Sequence, residues 1–239
     1  MNMELISFHK QTLPAMTTVL KVITNAGKAV VLLPALFLAL GLHAPDAGAK
    51  DKETRKKLES TASEEVQKTY RWIEKEKDNR KLPFAIIDKK NAHIYVFDEK
   101  GKIIDTGPVL LGIAKADKID PKTLKKPLSR IGKNERVTPS GRYQSVVGPD
   151  HRGKQVLWVD PQFAIALHPV VNVPGQNRFT RIKSTTSDDN RITWGCINVP
   201  VPLFKKVITP LFKPKSGFVY ILPESDSVEK LLAHNKEKD

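Results

Sequence analysis

Ile192-Thr193-Trp194-Gly195-Cys196-Ile197-Asn198-Val199-Pro200 holds the one cysteine of the chain. A β-like run leads into Gly195-Cys196, and a short apolar run that reads as buried and hydrogen-bonded leaves it. Gly195 lets a backbone or a substrate come close. The pattern places the thiol at a sharp turn within a β architecture. A thiol that serves folding normally has a partner, and this one has none. A lone cysteine with a histidine elsewhere is a candidate nucleophile, which reacts as the thiolate and so needs a base or a positive field nearby. The competing reading is a small buried hydrophobe.

Outward from this stretch the strand signals continue. Phe84-Ala-Ile-Ile-Asp88 and His93-Ile-Tyr-Val-Phe97 flank Lys89-Lys90-Asn91-Ala92 and read as a hairpin. Ile103-Ile104, residues 108–111, 142–147, 155–159, 163–168 and 216–222 read as further strands. Thr138-Pro139-Ser140-Gly141 is a turn signal. Residues 202–213 read as a short helix, with Pro202 near its start and Pro214 after its end. Many short strands and few helices predict a mainly β domain, a sandwich or a curled barrel-like sheet, over residues 83–224. Before it, residues 50–82 form a charged leader. Leu58, Val66, Tyr70 and Ile73 are spaced there for one helical face, which predicts a helix. Residues 225–239 read as a charged tail. Residues 113–136 carry Lys115, Lys118, Lys122, Lys125, Lys126, Arg130, Lys133 and Arg136 with no strand or helix period, and read as an exposed loop.

Residues 1–49 look like a targeting segment. Lys10, Lys21 and Lys28 precede an apolar run at 29–42, and Ala47-Gly48-Ala49 offers a small-residue cleavage site. The apolar run is short for a membrane span, which needs about 20 residues. The expectation is a secretory signal cleaved after Ala49, with initiation at Met16 or an uncleaved anchor as the open alternatives. The rest of the chain is then exported, to the periplasm or cell wall, with membrane contact only through the N-terminal segment. A single cysteine cannot form an internal disulfide in that oxidising setting. The chain carries 40 Lys+Arg against 26 Asp+Glu, a net charge of +14. Residues 1–49 hold only three of those lysines and two of the acids, so the charge belongs to the remainder and favours an acidic partner. The basic residues are scattered, aromatics make up 7% of the chain, and no nucleic-acid motif appears, so no nucleic-acid partner is expected.

His168 ends the apolar run at 163–167, where a strand would present a general base to solvent. His151 lies in a polar turn and His93 inside a strand. Backbone N–H groups around Gly195-Cys196, those of Trp194 and Gly195 among them, are candidates for an oxyanion hole. Thr193 and Asn198 flank the thiol with side chains able to orient His168 or a substrate amide. Arg178, Arg181 and Arg191 lie between His168 and Cys196 and could clamp a substrate carboxylate. No metal-ligand spacing and no phosphate loop is present, and no cofactor is expected.

These residues together resemble the L,D-transpeptidase catalytic domain, of the YkuD type, over about residues 84–223. Thr138-Pro139-Ser140-Gly141-Arg142-Tyr143 resembles its TP-x-G-x-[YF] segment. His168 stands at its upstream histidine, and Thr193-Trp194-Gly195-Cys196-Ile197-Asn198 resembles its [ST]-x-G-C-x-[RN] signature. Trp194 replaces a second histidine common in the family, and Pro169 replaces a glycine. The resemblance implies a β-sandwich with a short helix after the cysteine motif and an acyl transfer on peptidoglycan stem peptides. Cys196 is then the nucleophile and His168 the base. An amine on another stem or on a wall-anchored protein is the acceptor. Water as acceptor would make the same site an amidase or carboxypeptidase, and a non-catalytic wall-binding module is a reading of another class.

Overall fold

The computed structural model describes residues 47–236. The targeting segment read from the sequence lies outside them, apart from its last three residues. The protein is mainly β, with one large sheet and few helices. β1 (Phe84–Asp88) and β2 (His93–Phe97) form an antiparallel hairpin. β3 (Ile103–Pro108) follows β2 at one edge. On its other side β1 pairs in parallel with β10 (Gly217–Ile221), the last strand. β10 then pairs with β5 (Gly141–Pro149), β5 with β6 (Gln155–Asp160), β6 with β7 (Ile165–Pro169), and β7 in parallel with β9 (Ile197–Val199). The eight-stranded order is β3-β2-β1-β10-β5-β6-β7-β9, and β4 (Leu111–Gly112) pairs separately with β8 (Arg191–Thr193).

Strand alternation explains why the sheet folds over. Residues 141–145 of β5 pair with β10, and residues 146–149 pair with β6. β5 thus belongs to two layers. Ala85, Ile87, Ile94, Val96, Val219 and Ile221 from one layer meet Leu157, Val159, Ile165, Leu167, Ile197 and Val199 from the other in a single buried cluster. This is sandwich packing with interdigitated inner faces. The segment after the cysteine motif closes one side of the core. α4 (Val201–Leu203), a π-helical turn (Phe204–Ile208) and α5 (Thr209–Phe212) run on continuously, and Leu203, Phe204, Ile208 and Phe212 are buried. Gly217 allows this closure, because a Cβ there would strike the Phe212 ring and Pro83 O.

The alternate residues of the hairpin and β10 face the other way. Phe84, Ile86, Tyr95, Phe97, Phe218 and Tyr220 form a second cluster. α1 (Ala47–Thr61) and α2 (Glu64–Glu76) cover it, inserting Leu58, Val66, Tyr70 and Ile73. The leader is therefore two helices, parted where Ser63 caps α2 by accepting from Val66 N–H while its hydroxyl donates to Asp88. The segment read as a charged tail forms α6 (Val228–Lys236), which buries Val228 and Leu232 against the same cluster and forms an ion pair from Glu229 to Lys68 on α2. Charge density concealed it: only Val228 and Leu232 of this helix are buried, with Leu231 packing beside them. Residues 113–136 hold three short 3-10 turns, at 121–125, 128–130 and 133–135, with Asp117 and Thr123 buried.

Lys89, with no exposed side-chain surface, anchors this loop. Its ammonium donates to Asp117 Oδ1 at 2.8 Å, Ala116 O at 2.8 Å and Thr138 O at 3.1 Å. The Asp117 carboxylate also accepts the backbone N–H groups of Glu224, Ser225 and Asp226. Burial alone would raise the Asp117 carboxyl, but Lys89 and the three amides outweigh it and bring it down to about 2 from 3.8. A carboxyl lowered on folding stabilises above its unfolded value, and that stability is lost as pH falls from about 4 to about 2. Asp117→Asn is expected to cost about 2 kcal/mol at pH 7. In urea titrations its deficit relative to the wild type should shrink steadily between pH 4 and pH 2; a deficit independent of pH would refute this account.

Candidate active site

β7 and β9 run side by side in parallel, with Leu167 opposite Ile197 and His168 opposite Asn198. Leu167 and Ile197 enter the core, so alternation turns His168 and Asn198 to the opposite face. Cys196 stands one residue before β9 and continues the alternation onto that face. The parallel pairing thus gathers a thiol, an imidazole and an amide from stretches 28 residues apart.

Hydrogen-bond polarity then sets the state of the histidine. Arg178, 7% exposed, begins the one-turn helix α3 (Arg178–Arg181) and donates from Nη1 to Asn198 Oδ1 at 3.0 Å and from Nε to Gln176 Oε1 at 2.7 Å. A guanidinium only donates. The Asn198 oxygen therefore faces Arg178, and its NH₂ group faces His168 Nε2 at 3.1 Å. That nitrogen must accept, which leaves the imidazole proton on Nδ1, donated to Pro169 O at 2.9 Å. His168 is held as a neutral imidazole whose Nε2 lone pair accepts from the Asn198 NH₂ group. Burial lowers its pKa from 6.5, the bond to Pro169 O works against this, the charge of Arg178 adds to the lowering, and Asp150 in the β5–β6 turn opposes it.

Cys196 is partly exposed, and its S–H donates to Ala164 O at 3.6 Å. Ala164 sits at φ +53, a left-handed conformation that costs a non-glycine residue on the order of 1 kcal/mol. Burial pushes the thiol above its ordinary value of 9.0, while the Ala166 backbone amide and the Arg178 charge pull it down. The resting site is a neutral thiol and a neutral imidazole beside a buried cation.

The turn that carries the thiol is braced from both sides. Thr193 Oγ1 donates to Cys196 O at 2.6 Å and accepts from Gly195 N–H at 3.1 Å. Thr138 Oγ1 donates to Gly195 O at 2.8 Å and accepts from Gly112 N–H at 2.9 Å. Gly195 adopts φ +130, and a Cβ there would lie 2.6 Å from Val137 O, so only glycine suits this position. Trp194 is 38% exposed, and the Arg136 guanidinium lies 3.6 Å from its ring centroid.

Several sequence expectations change here. The Gly195 N–H belongs to Thr193 Oγ1 and is not an open oxyanion donor. Thr193 braces the turn and does not face a substrate. Asn198, fully buried, positions His168. Arg178 is a buried part of the same chain of hydrogen bonds and not a surface clamp. Arg191 is buried, donating to Lys89 O at 2.6 Å and pairing with Glu224 at 2.7 Å. Arg181 spends its Nε on Asp189 O at 2.7 Å. A fan of arginines in sequence becomes one site residue and two structural ones, because only Arg178 follows a loop that returns to β9. Thr138 and Arg136 were not singled out as site residues. Thr138 carries the turn motif and opens the TP-x-G segment, Arg136 lies in a basic run, and tertiary pairing brings both to the cysteine turn. Among the described residues no group of three or more His, Cys, Asp or Glu side chains is placed to hold a metal ion.

No protein-family profile matches the chain, and no curated protein matches it. Three solved chains match. One is the catalytic domain of an L,D-transpeptidase from E. faecium, determined by NMR, at 15% identity and a TM-score of 0.31, covering 58% of this chain and 95% of that one.

Arg178→Gln tests the electrostatics. Removing the cation should move the His168 pKa up toward 6.5 and the Cys196 thiol further above 9.0. Imidazole NMR titration and iodoacetamide kinetics at pH 8 read the two shifts, with alkylation slowed several-fold. Unchanged titrations would remove Arg178 from the site.

Proposed function

We propose that the chain is a cysteine acyltransferase of the L,D-transpeptidase kind, acting on peptidoglycan stem peptides. The observation that carries this reading is the placement of Cys196 and His168 on one face of adjacent parallel strands, with the imidazole held in the tautomer a base requires. The resemblance of the cysteine and TP-x-G motifs supplies the substrate class, and the net charge of +14 suits an acidic wall polymer.

In the proposed reaction His168 Nε2 gives up the bond it accepts from the Asn198 NH₂ group and takes the thiol proton, and the thiolate attacks a carbonyl on the L-centre of a stem diamino acid. Sulfur bonds to carbon, and the carbonyl electron pair moves to oxygen, which the backbone N–H of Trp194 is a candidate to receive. Collapse breaks the C–N bond. The terminal D-residue leaves as an amine and takes the proton from His168. A protonated Nε2 would confront the Asn198 NH₂ group, donor against donor, which favours handing that proton on. An acceptor amine then attacks the thioester, gives its proton to His168, and the thiol is restored. Arg178 stabilises the thiolate through its charge. Export to the periplasm or wall, where this substrate lies, is part of the proposal.

Intact mass of residues 50–239 after incubation with a tetrapeptide-stem muropeptide tests it. The expected result is an adduct lacking the terminal residue, present with Cys196 and absent in Cys196→Ala. His168→Gln should slow its formation by about 10²- to 10⁴-fold. Product without Cys196, or no adduct and no product, would overturn the reading.

A further inference from the structure

We propose that Arg136, stacked on Trp194, is a carboxylate-binding residue at the rim of the thiol site and selects substrates that carry a free carboxylate near the reacting carbonyl. This rests on the reading of Cys196 as a nucleophile toward a peptide. The stretch from Arg136 to Thr138 runs against the cysteine turn: Val137 O lies close to Gly195, and Thr138 Oγ1 donates to Gly195 O. Arg136 therefore lies beside Trp194, two residues from the thiol.

Its guanidinium is held from two directions. The Trp194 ring supports its face at 3.6 Å, and Nε and Nη2 donate to Ile131 O at 3.3 and 3.2 Å. These bonds use one edge of the plane. Nη1 and the second N–H of Nη2 remain as donors. Among the described residues no carboxylate pairs with Arg136, although acids lie close in sequence. Glu135, its neighbour, is bound to Lys126 and to Gly132 N–H. Arg178, by contrast, spends its donors on Gln176 and Asn198. A partly exposed, pre-oriented guanidinium with unused in-plane donors suits a planar anion, for which arginine provides two parallel bonds. The exposed indole below offers the substrate an apolar wall while it holds the cation in place. Stem peptides bear such carboxylates, and amidation removes them, so this residue would distinguish free-acid from amidated stems.

The test compares wild type, Arg136→Gln and Arg136→Lys in two assays. First, Cys196 is alkylated with iodoacetate and with iodoacetamide, which differ in one carboxylate. The ratio of the two rates should fall about tenfold in Arg136→Gln, the size of a lost charge-assisted hydrogen bond, and recover only in part in Arg136→Lys. Second, KM is measured on tetrapeptide stems with free and with amidated carboxylates. Loss of Arg136 should raise KM on the free acid about tenfold more than on the amide, with kcat changed far less. An unchanged iodoacetate-to-iodoacetamide ratio, or equal losses on both stems, would make Arg136 a brace of the loop and overturn the proposal. Absence of any thioester in the wild type on either stem would instead sink the transpeptidase reading, and the alkylation ratio would then decide Arg136 by itself.

Discussion

A buried lysine ammonium ties together the segments that surround the cysteine turn. Lys89 leaves the end of the first hairpin strand, where no water reaches it, and its three hydrogen bonds go to the start of the basic loop and to Thr138. A buried cation is tolerated only when paired and fully bonded. Asp117 supplies the charge and then collects the three amides that follow the last strand. Arg191 adds a bond to Lys89 O and an ion pair to Glu224. Five regions distant in sequence thus meet at one charge cluster. Thr138 passes the constraint to Gly195, and so to the cysteine turn. The loop at 113–136 looks like a solvated insertion, yet its two ends are fixed here.

The site itself depends on one-way hydrogen bonding. Arg178 can only donate, which fixes the Asn198 amide, which fixes the imidazole tautomer. Burial lowers the histidine and raises the thiol, so both rest neutral, and Arg178 opposes the rise of the thiol. In the proposed reaction charge appears only when the proton moves, next to a cation already in place. The rim differs in kind. Arg136 and Trp194 support each other at the surface and leave donors facing outward.

Much of the fold was legible because strands announce themselves locally. The first hairpin matches the apolar runs at 84–88 and 93–97, and the last strand falls within the run read at 216–222. Val66, Tyr70 and Ile73 lie on one buried face of α2 as a helical period puts them, while Leu58 belongs to the preceding helix. The short strands beside the cysteine, at 191–193 and 197–199, were legible only as a β-like context, since three residues carry too little pattern. α6 was missed because a helix that buries two side chains reads as charge.

The sequence by itself determined the mainly β class, the singular thiol, and the histidine at a strand end, because residue chemistry and two-residue alternation are properties of the chain. Only the tertiary structure decided which of three arginines approaches the thiol, why Gly195 N–H is already taken, and that Arg136 lies on Trp194. Those facts depend on which strands pair, in what register, and on where loops return. Such long-range choices are set by the summed burial of the whole domain, and no local spacing records them.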